Sequence, residues 1–233
     1  MTSTTPAPRS ADVPGVLWQP TGPANGRAVL VLHEAPGITS NVRRRGAALA
    51  ALGYTVFAPD LHRAGRALDR DESHAAVAAF QHDPLLLRQR VAESLAHLCR
   101  ACGAAPAQVA VLGYCFGGMA ALEFARSGAE AGLVTSYHGL LATRVPAPRG
   151  GVRMPLMVFT GALDPLVPLA DVAAFQQEML DAQARWRLVM YGQARHSFTN
   201  ADAGGFGDPR MQHDAEADAD AWAQTLSGLA VMR

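Results

Sequence analysis

Val109-Ala110-Val111-Leu112-Gly113-Tyr114-Cys115-Phe116-Gly117-Gly118 decides how this chain is read. The first four residues form a continuous apolar run, as expected of a strand buried on both faces of a parallel sheet. The glycines then mark a sharp turn, and the apolar residues from Met119 to Arg126 suit a helix. A strand that turns abruptly into a helix strains the residue at the bend, and small residues two before and two after it relieve the crowding. Gly-x-Cys-x-Gly therefore has the form of a nucleophile elbow with Cys where Ser is usual. Such a bend presents Cys115 at the carboxyl end of a strand, where open α/β sheets bind ligands. A buried cysteine after a strand is also a common packing residue, so the reading depends on what surrounds the motif.

On either side the chain alternates strand-like and helix-like segments. Ala28–Leu32, Tyr54–Ala58, Leu133–Tyr137, Pro155–Thr160 and Trp186–Met190 read as further strands. Helices are expected from a cap at Ser40 or Asn41 to Gly53, over Pro84–Cys102 and Ala170–Gln183, and over Asp214–Leu226 with Trp222 on the apolar face. The Arg-rich stretch Leu61–Glu72 reads as a surface excursion, and Leu61–Asp83 as a shaper of the pocket. This order implies an α/β fold, a mostly parallel sheet with helices on both faces. Residues 1–233 read as one domain, with 1–15 a loose N-terminal arm; there is no repeat or interdomain linker.

Two residues downstream of Cys115 complete a pattern. Asp164 follows the strand Pro155–Thr160, and His196 follows the strand Trp186–Met190, so both fall on the rim of the sheet that carries Cys115. The chain order nucleophile, acid, histidine is that of the serine-type elbow fold. In that pattern the imidazole takes the thiol proton and later protonates a leaving group or activates water. The carboxylate fixes its tautomer and stabilises its charged form. Structural alternatives exist for each: His196 as a loop histidine, and Asp164 as a helix cap or a turn residue beside Pro165.

Composition narrows the classes. The 233 residues carry 20 basic and 20 acidic side chains, a formal net charge of zero, which argues against a nucleic-acid partner. Every basic residue is Arg, so lysine chemistry is excluded. No apolar run reaches the roughly 20 residues of a membrane span, and residues 1–15 lack the apolar segment of a signal peptide. Three cysteines make no disulfide framework; Cys99-Arg100-Ala101-Cys102 has redox spacing but sits at the end of an expected helix, where packing is the simpler role. The expectation is a soluble cytoplasmic protein, monomer or weak homo-oligomer, with no metal and no cofactor.

Several segments together resemble the dienelactone hydrolase family of α/β-hydrolases over roughly residues 25–230. They are His33-Glu34, the Gly113–Gly118 elbow, Ser136-Tyr137-His138-Gly139, Gly161-Ala162-Leu163-Asp164-Pro165-Leu166-Val167-Pro168 and Arg195-His196-Ser197-Phe198. The resemblance implies an α/β-hydrolase fold and cleavage of a small activated ester or lactone through a cysteine acyl-enzyme. It implies that Glu34 contacts the cysteine and controls when the thiolate forms, and that the backbone N–H groups of Ala35 and Phe116 bind the oxyanion. Family members acting on dienelactone carry an arginine four residues after the histidine; here that residue is Asn200, which puts dienelactone itself in doubt. Arg63, Arg66 or Arg70 are candidates for a replacement cation, and Tyr114, Phe198, Asn200 and Phe206 for pocket walls. A thioesterase or general carboxylesterase on the same triad is the alternative. A redox or metal protein built on Cys99 and Cys102, and a non-catalytic binding module, are the readings from other classes.

Overall fold

The computed structural model describes residues 13–232. Seven strands form one sheet in the order β1-β3-β2-β4-β5-β6-β7. These are β1 (Gly15–Trp18), β2 (Ala28–Leu32), β3 (Thr55–Pro59), β4 (Val109–Tyr114), β5 (Leu133–Tyr137), β6 (Leu156–Gly161) and β7 (Trp186–Tyr191). All neighbouring pairs are parallel except β1 with β3, which runs antiparallel with Gly15 opposite Pro59. Every residue of β2, β4, β5 and β6 is buried, which is why these strands read as unbroken apolar runs.

The helices are α1 (Ser40–Ala51), α2 (Arg70–His82), α3 (Pro84–Cys102), α4 (Phe116–Arg126), α5 (Leu169–Asp181) and α6 (Ala215–Ala230). Side chains alternate across the sheet, so Ala28, Leu30 and Leu32 face α3, α4 and α5, while Val29 and Val31 face α1 and α6. The two resulting cores hold the strand ends at fixed height.

Several expectations need correction. The loose arm was expected to reach residue 15, but Gly15 already opens an edge strand that pairs with β3; residues 1–12 lie outside the described residues. The excursion from Leu61 ends at residue 69, because Asp69 caps α2 and Glu72 reaches back to the Asp69 N–H, a capping box. Neither Ser40 nor Asn41 caps α1: Thr39 holds the cap position, Ser40 bonds Asp202 and Asn41 bonds Glu34. Cys99 and Cys102 lie in α3, half-buried against the core, and both are free thiols.

Candidate active site

The bend at Cys115 is sharp. Its φ of 54° and ψ of −115° lie in a region that side chains rarely adopt. A Cβ on Gly113 would collide with the Gly117 carbonyl, and one on Gly117 with the Leu32 carbonyl of the neighbouring strand. Glycine at both places is thus the condition for α4 to start where it does. Cys115 stands at the N-cap of α4, and the Phe116 N–H belongs to the helix's first turn, where backbone donors have no intrahelical acceptor. The helix's positive end favours an anion there.

The structure brings Cys115, Asp164 and His196 together. His196 Nδ1 lies 2.8 Å from Asp164 Oδ2, and its Nε2 lies 3.1 Å from Cys115 Sγ. The other Asp164 oxygen accepts the Leu166 N–H at 2.8 Å, so the carboxylate closes a turn and faces the imidazole at once. His196 is held from behind: its N–H donates to the Arg210 carbonyl and its own carbonyl accepts the Gln212 N–H. Burial disfavours its charged form, but the adjacent Cys115 sulfur and the Asp164 carboxylate outweigh that and hold its pKa above the ordinary value.

Glu34 lines the same cavity, yet its carboxylate is bonded elsewhere. It accepts from Thr39 Oγ1 at 2.8 Å, from Asn41 Nδ2 at 3.3 Å, and from Asn200 Nδ2 at 3.0 and 3.2 Å. Among the described residues these are its partners; the expected contact with Cys115 is not made in this structure. Burial raises the Glu34 pKa against the pull of these donors. Asn200, read from sequence as a candidate pocket wall and as the position where an arginine is missing, joins Thr39 and Asn41 in holding Glu34 in place.

Ala35 also lines the cavity, and the peptide that carries its N–H is fixed by His33. The Leu61 N–H can only donate, so His33 Nε2 accepts it, at 3.0 Å, and Nδ1 must carry the proton. That Nδ1–H donates to the Glu34 carbonyl at 2.7 Å, the other end of the Glu34–Ala35 peptide. Burial, and then the neighbouring His62, pushes the His33 pKa down to about 4, so the ring is neutral as this arrangement needs. His62 donates to the Ala35 carbonyl at 2.8 Å and stacks on Phe116.

The cavity beside Cys115 measures about 430 Å³, within the range of small-ligand sites. Its far wall comes from the stretch between β3 and α3: Leu68 and Asp69 before α2, then Arg70, Ser73 and His74 on it. Phe206 and Met211 close the other side. Of the expected pocket walls, Asn200 and Phe206 line the cavity and Tyr114 and Phe198 do not. Tyr114 points to the opposite face of the sheet and stacks on Tyr137; Phe198 is fully buried against His138 and Tyr191. Of the three candidate arginines, Arg63 pairs with Glu93 and Arg66 with Glu72, and Arg70 reaches the cavity, 3.6 Å from Asp208. The Asp69-x-x-Glu72 capping signal was the clue in the sequence to the α2 wall. Among the described residues no group of three or more His, Cys, Asp or Glu could hold a metal ion, and no helix is long and apolar enough to cross a membrane.

A mostly parallel sheet with an elbow after its central strand, and an acid and a histidine on the following strand ends, defines an α/β-hydrolase. The dienelactone hydrolase family model matches residues 13–232, and the chain belongs to that family. It is a hydrolase of ester or lactone bonds. Among solved structures, m3DLH is 30% identical with a TM-score of 0.88, covering 94% of this chain and 92% of that one. A dienelactone hydrolase-like promiscuous phosphotriesterase from metagenomic libraries is 29% identical with a TM-score of 0.83, covering 91% and 88%. A Synechocystis sp. protein provisionally named carboxymethylenebutenolidase is 24% identical over 92% of this chain and 89% of its own length.

Proposed function

We propose that the chain hydrolyses a small activated ester or lactone through a cysteine acyl-enzyme, with Cys115 as nucleophile, His196 as acid and base, and Asp164 orienting the imidazole. The observation that carries this reading is the unbroken line from carboxylate to imidazole to sulfur, 2.8 Å and 3.1 Å long. In the first half-reaction Sγ forms a bond to the acyl carbon, its proton having passed to His196 Nε2. The developing oxyanion lies between the N–H groups of Phe116 and Ala35. The C–O bond to the leaving group then breaks, and the imidazolium returns the proton to that oxygen. Water, deprotonated by the same nitrogen, attacks the thioester, and Sγ leaves as thiolate.

A sulfur nucleophile restricts the substrate. Thiolate leaves more readily than an alkoxide, so the tetrahedral intermediate of a simple alkyl ester reverts to substrate. Collapse goes forward when the leaving group is itself stabilised, as an enolate, phenolate or thiolate is. Glu34, buried beside the sulfur, is assigned to sensing substrate: while held by Asn200 it stays off Cys115, and its charge opposes a standing thiolate. The name of the metagenomic relative adds phosphotriesters to the substrates worth testing.

The test is a panel of aryl, enol and alkyl esters, a lactone, a thioester and an aryl phosphotriester, run on wild type and on Cys115→Ser and Cys115→Ala. The expected result is turnover of the aryl and enol esters well above alkyl esters, none with Cys115→Ala, and an acyl adduct on Cys115 in quenched mass spectra. A preference for alkyl esters, or activity that survives Cys115→Ala, overturns the reading. Thioester turnover exceeding that of every oxygen ester would move the assignment to a thioesterase.

A further inference from the structure

His138 belongs to the segment Ser136-Tyr137-His138-Gly139, which the mechanism above leaves unused. It is wholly buried, directly behind the reacting pair: its ring centroid is 5.2 Å from that of His196, edge to face, and 5.3 Å from that of Phe198. A buried imidazole needs partners for both nitrogens, and those here are informative. Nδ1 receives the backbone N–H of Cys115 at 3.1 Å. An amide N–H only donates, so Nδ1 is the bare nitrogen and Nε2 carries the hydrogen. Nε2–H then donates to Thr199 Oγ1 at 2.8 Å. Thr199 is the third residue after His196, and its carbonyl is in turn gripped by Arg45 at 2.8 Å.

We infer that His138 is a positioning residue, a neutral imidazole strut that ties the amide of Cys115 to the loop carrying His196 and so sets the sulfur-to-imidazole distance.

Cys115 and His196 sit on different loops, 81 residues apart in sequence, and the elbow backbone is strained. A strained bend stays put only where its surroundings over-determine it. Here the Cys115 N–H has two acceptors, the Tyr137 carbonyl at 3.0 Å and the His138 ring. The first is the last rung of the β4–β5 ladder; the second reaches across to the histidine loop. The strut works only in the neutral form, because a proton on Nδ1 would face the Cys115 N–H. Burial first, then the nearby His196 and Arg45, hold the His138 pKa well below its ordinary value. The imidazole that accepts a proton and the one that refuses it thus sit side by side with opposite tasks.

The inference rests on Cys115 and His196 acting as a pair, and its test separates the two claims. The readouts are kcat and KM on an aryl ester, and the rate at which iodoacetamide alkylates Cys115, mapped by peptide mass to distinguish Cys99 and Cys102. The second needs no turnover. His138→Phe keeps a ring but offers neither acceptor nor donor. It is expected to lose about 10²-fold in kcat, the scale of an ångström-sized misplacement, with KM changed less than about threefold and Cys115 alkylation slowed about tenfold. His138→Asn restores an acceptor at the position of Nδ1 and is expected to recover most of the alkylation rate. Thr199→Val removes the other end of the strut without changing shape. His138→Asn and Thr199→Val break the same bond, so the double variant is expected to be no worse than the poorer single one.

Wild-type kcat and alkylation in a folded His138→Phe, with only a lower melting temperature, would make His138 a packing residue and end the inference. If His138→Phe does not fold, the Asn and Val variants decide: full additivity of their losses, or no loss in either, overturns the strut. Hydrolysis persisting in Cys115→Ala would instead bring down the proposed function.

Discussion

His33 provides a quantitative test of how the oxyanion side of the site is held. In the folded chain its pKa is about 4, against an ordinary 6.5, because the ring is buried and faces His62. The unfolded chain therefore takes up a proton below about pH 6.5 that the folded chain refuses until about pH 4. Unfolding is favoured progressively as pH falls through that window, and above it His33 has no effect. At about 1.36 kcal/mol per pH unit, the gap between 6.5 and about 4 is worth about 3 kcal/mol, most of it expressed by pH 4.5. That is a large part of the ~5–15 kcal/mol by which domains are stable. The comparison is urea unfolding of wild type and His33→Gln between pH 7.5 and 4.5, followed by tryptophan fluorescence. The variant starts lower at pH 7.5, since the Leu61 N–H and the Glu34 carbonyl lose their partner, but it lacks this titration. Wild type is expected to lose about 2–3 kcal/mol more than the variant between pH 7.5 and 4.5. His62 and His138 titrate in the same sense but are common to both proteins, so they cancel. Parallel stability curves, within about 0.5 kcal/mol, would show that His33 is not held as a neutral donor and would remove the argument for how the Glu34–Ala35 peptide is oriented.

Three further outcomes are expected. Asp164→Asn should lower kcat by at least about 10²-fold with the fold intact, because the amide no longer stabilises the charged imidazole; stopped-flow on an aryl ester checks this, and a loss under threefold would contradict it. Asn200→Asp places a second carboxylate where Asn200 Nδ2 now donates to Glu34 at 3.0 Å; one of the two then protonates with a raised pKa, so stability lost at pH 7.5 should be partly regained toward pH 5 in thermal melts. Arg126→Met strips a wholly buried guanidinium from Glu123, Glu178 and the Leu141 carbonyl; urea unfolding should show a loss of about 3–5 kcal/mol, and a loss under 1 kcal/mol would mean that the carboxylates find other partners.

What the sequence disclosed followed from burial. Strands β2, β4, β5 and β6 are covered on both faces and show as apolar runs; the carboxyl ends of β4, β6 and the less buried β7 place Cys115, Asp164 and His196 on one rim. Strand β1 escaped notice because four half-exposed residues on a sheet edge carry no such run. Helix α2 escaped because only Ser73 and Phe80 of its residues are buried, so no apolar stripe marks it. Tyr114 was misread as a pocket wall: neighbouring strand residues point to opposite faces, and the register sends it onto Tyr137. The tasks of His33 and His138 were illegible because their partners are backbone N–H groups 28 and 23 residues away, and no pattern of residue types encodes a distant backbone donor.

The two halves of the cavity have separate origins in the chain. The reacting groups stand on strand ends locked between two cores, whereas one whole wall is supplied by the single stretch between β3 and α3. Leu68, Ser73 and His74 line the cavity yet make none of the hydrogen bonds that join Asp164, His196 and Cys115. Descendants of such a chain are free to trade one guest for another by rewriting one short segment, while the machinery for bond cleavage passes on unaltered.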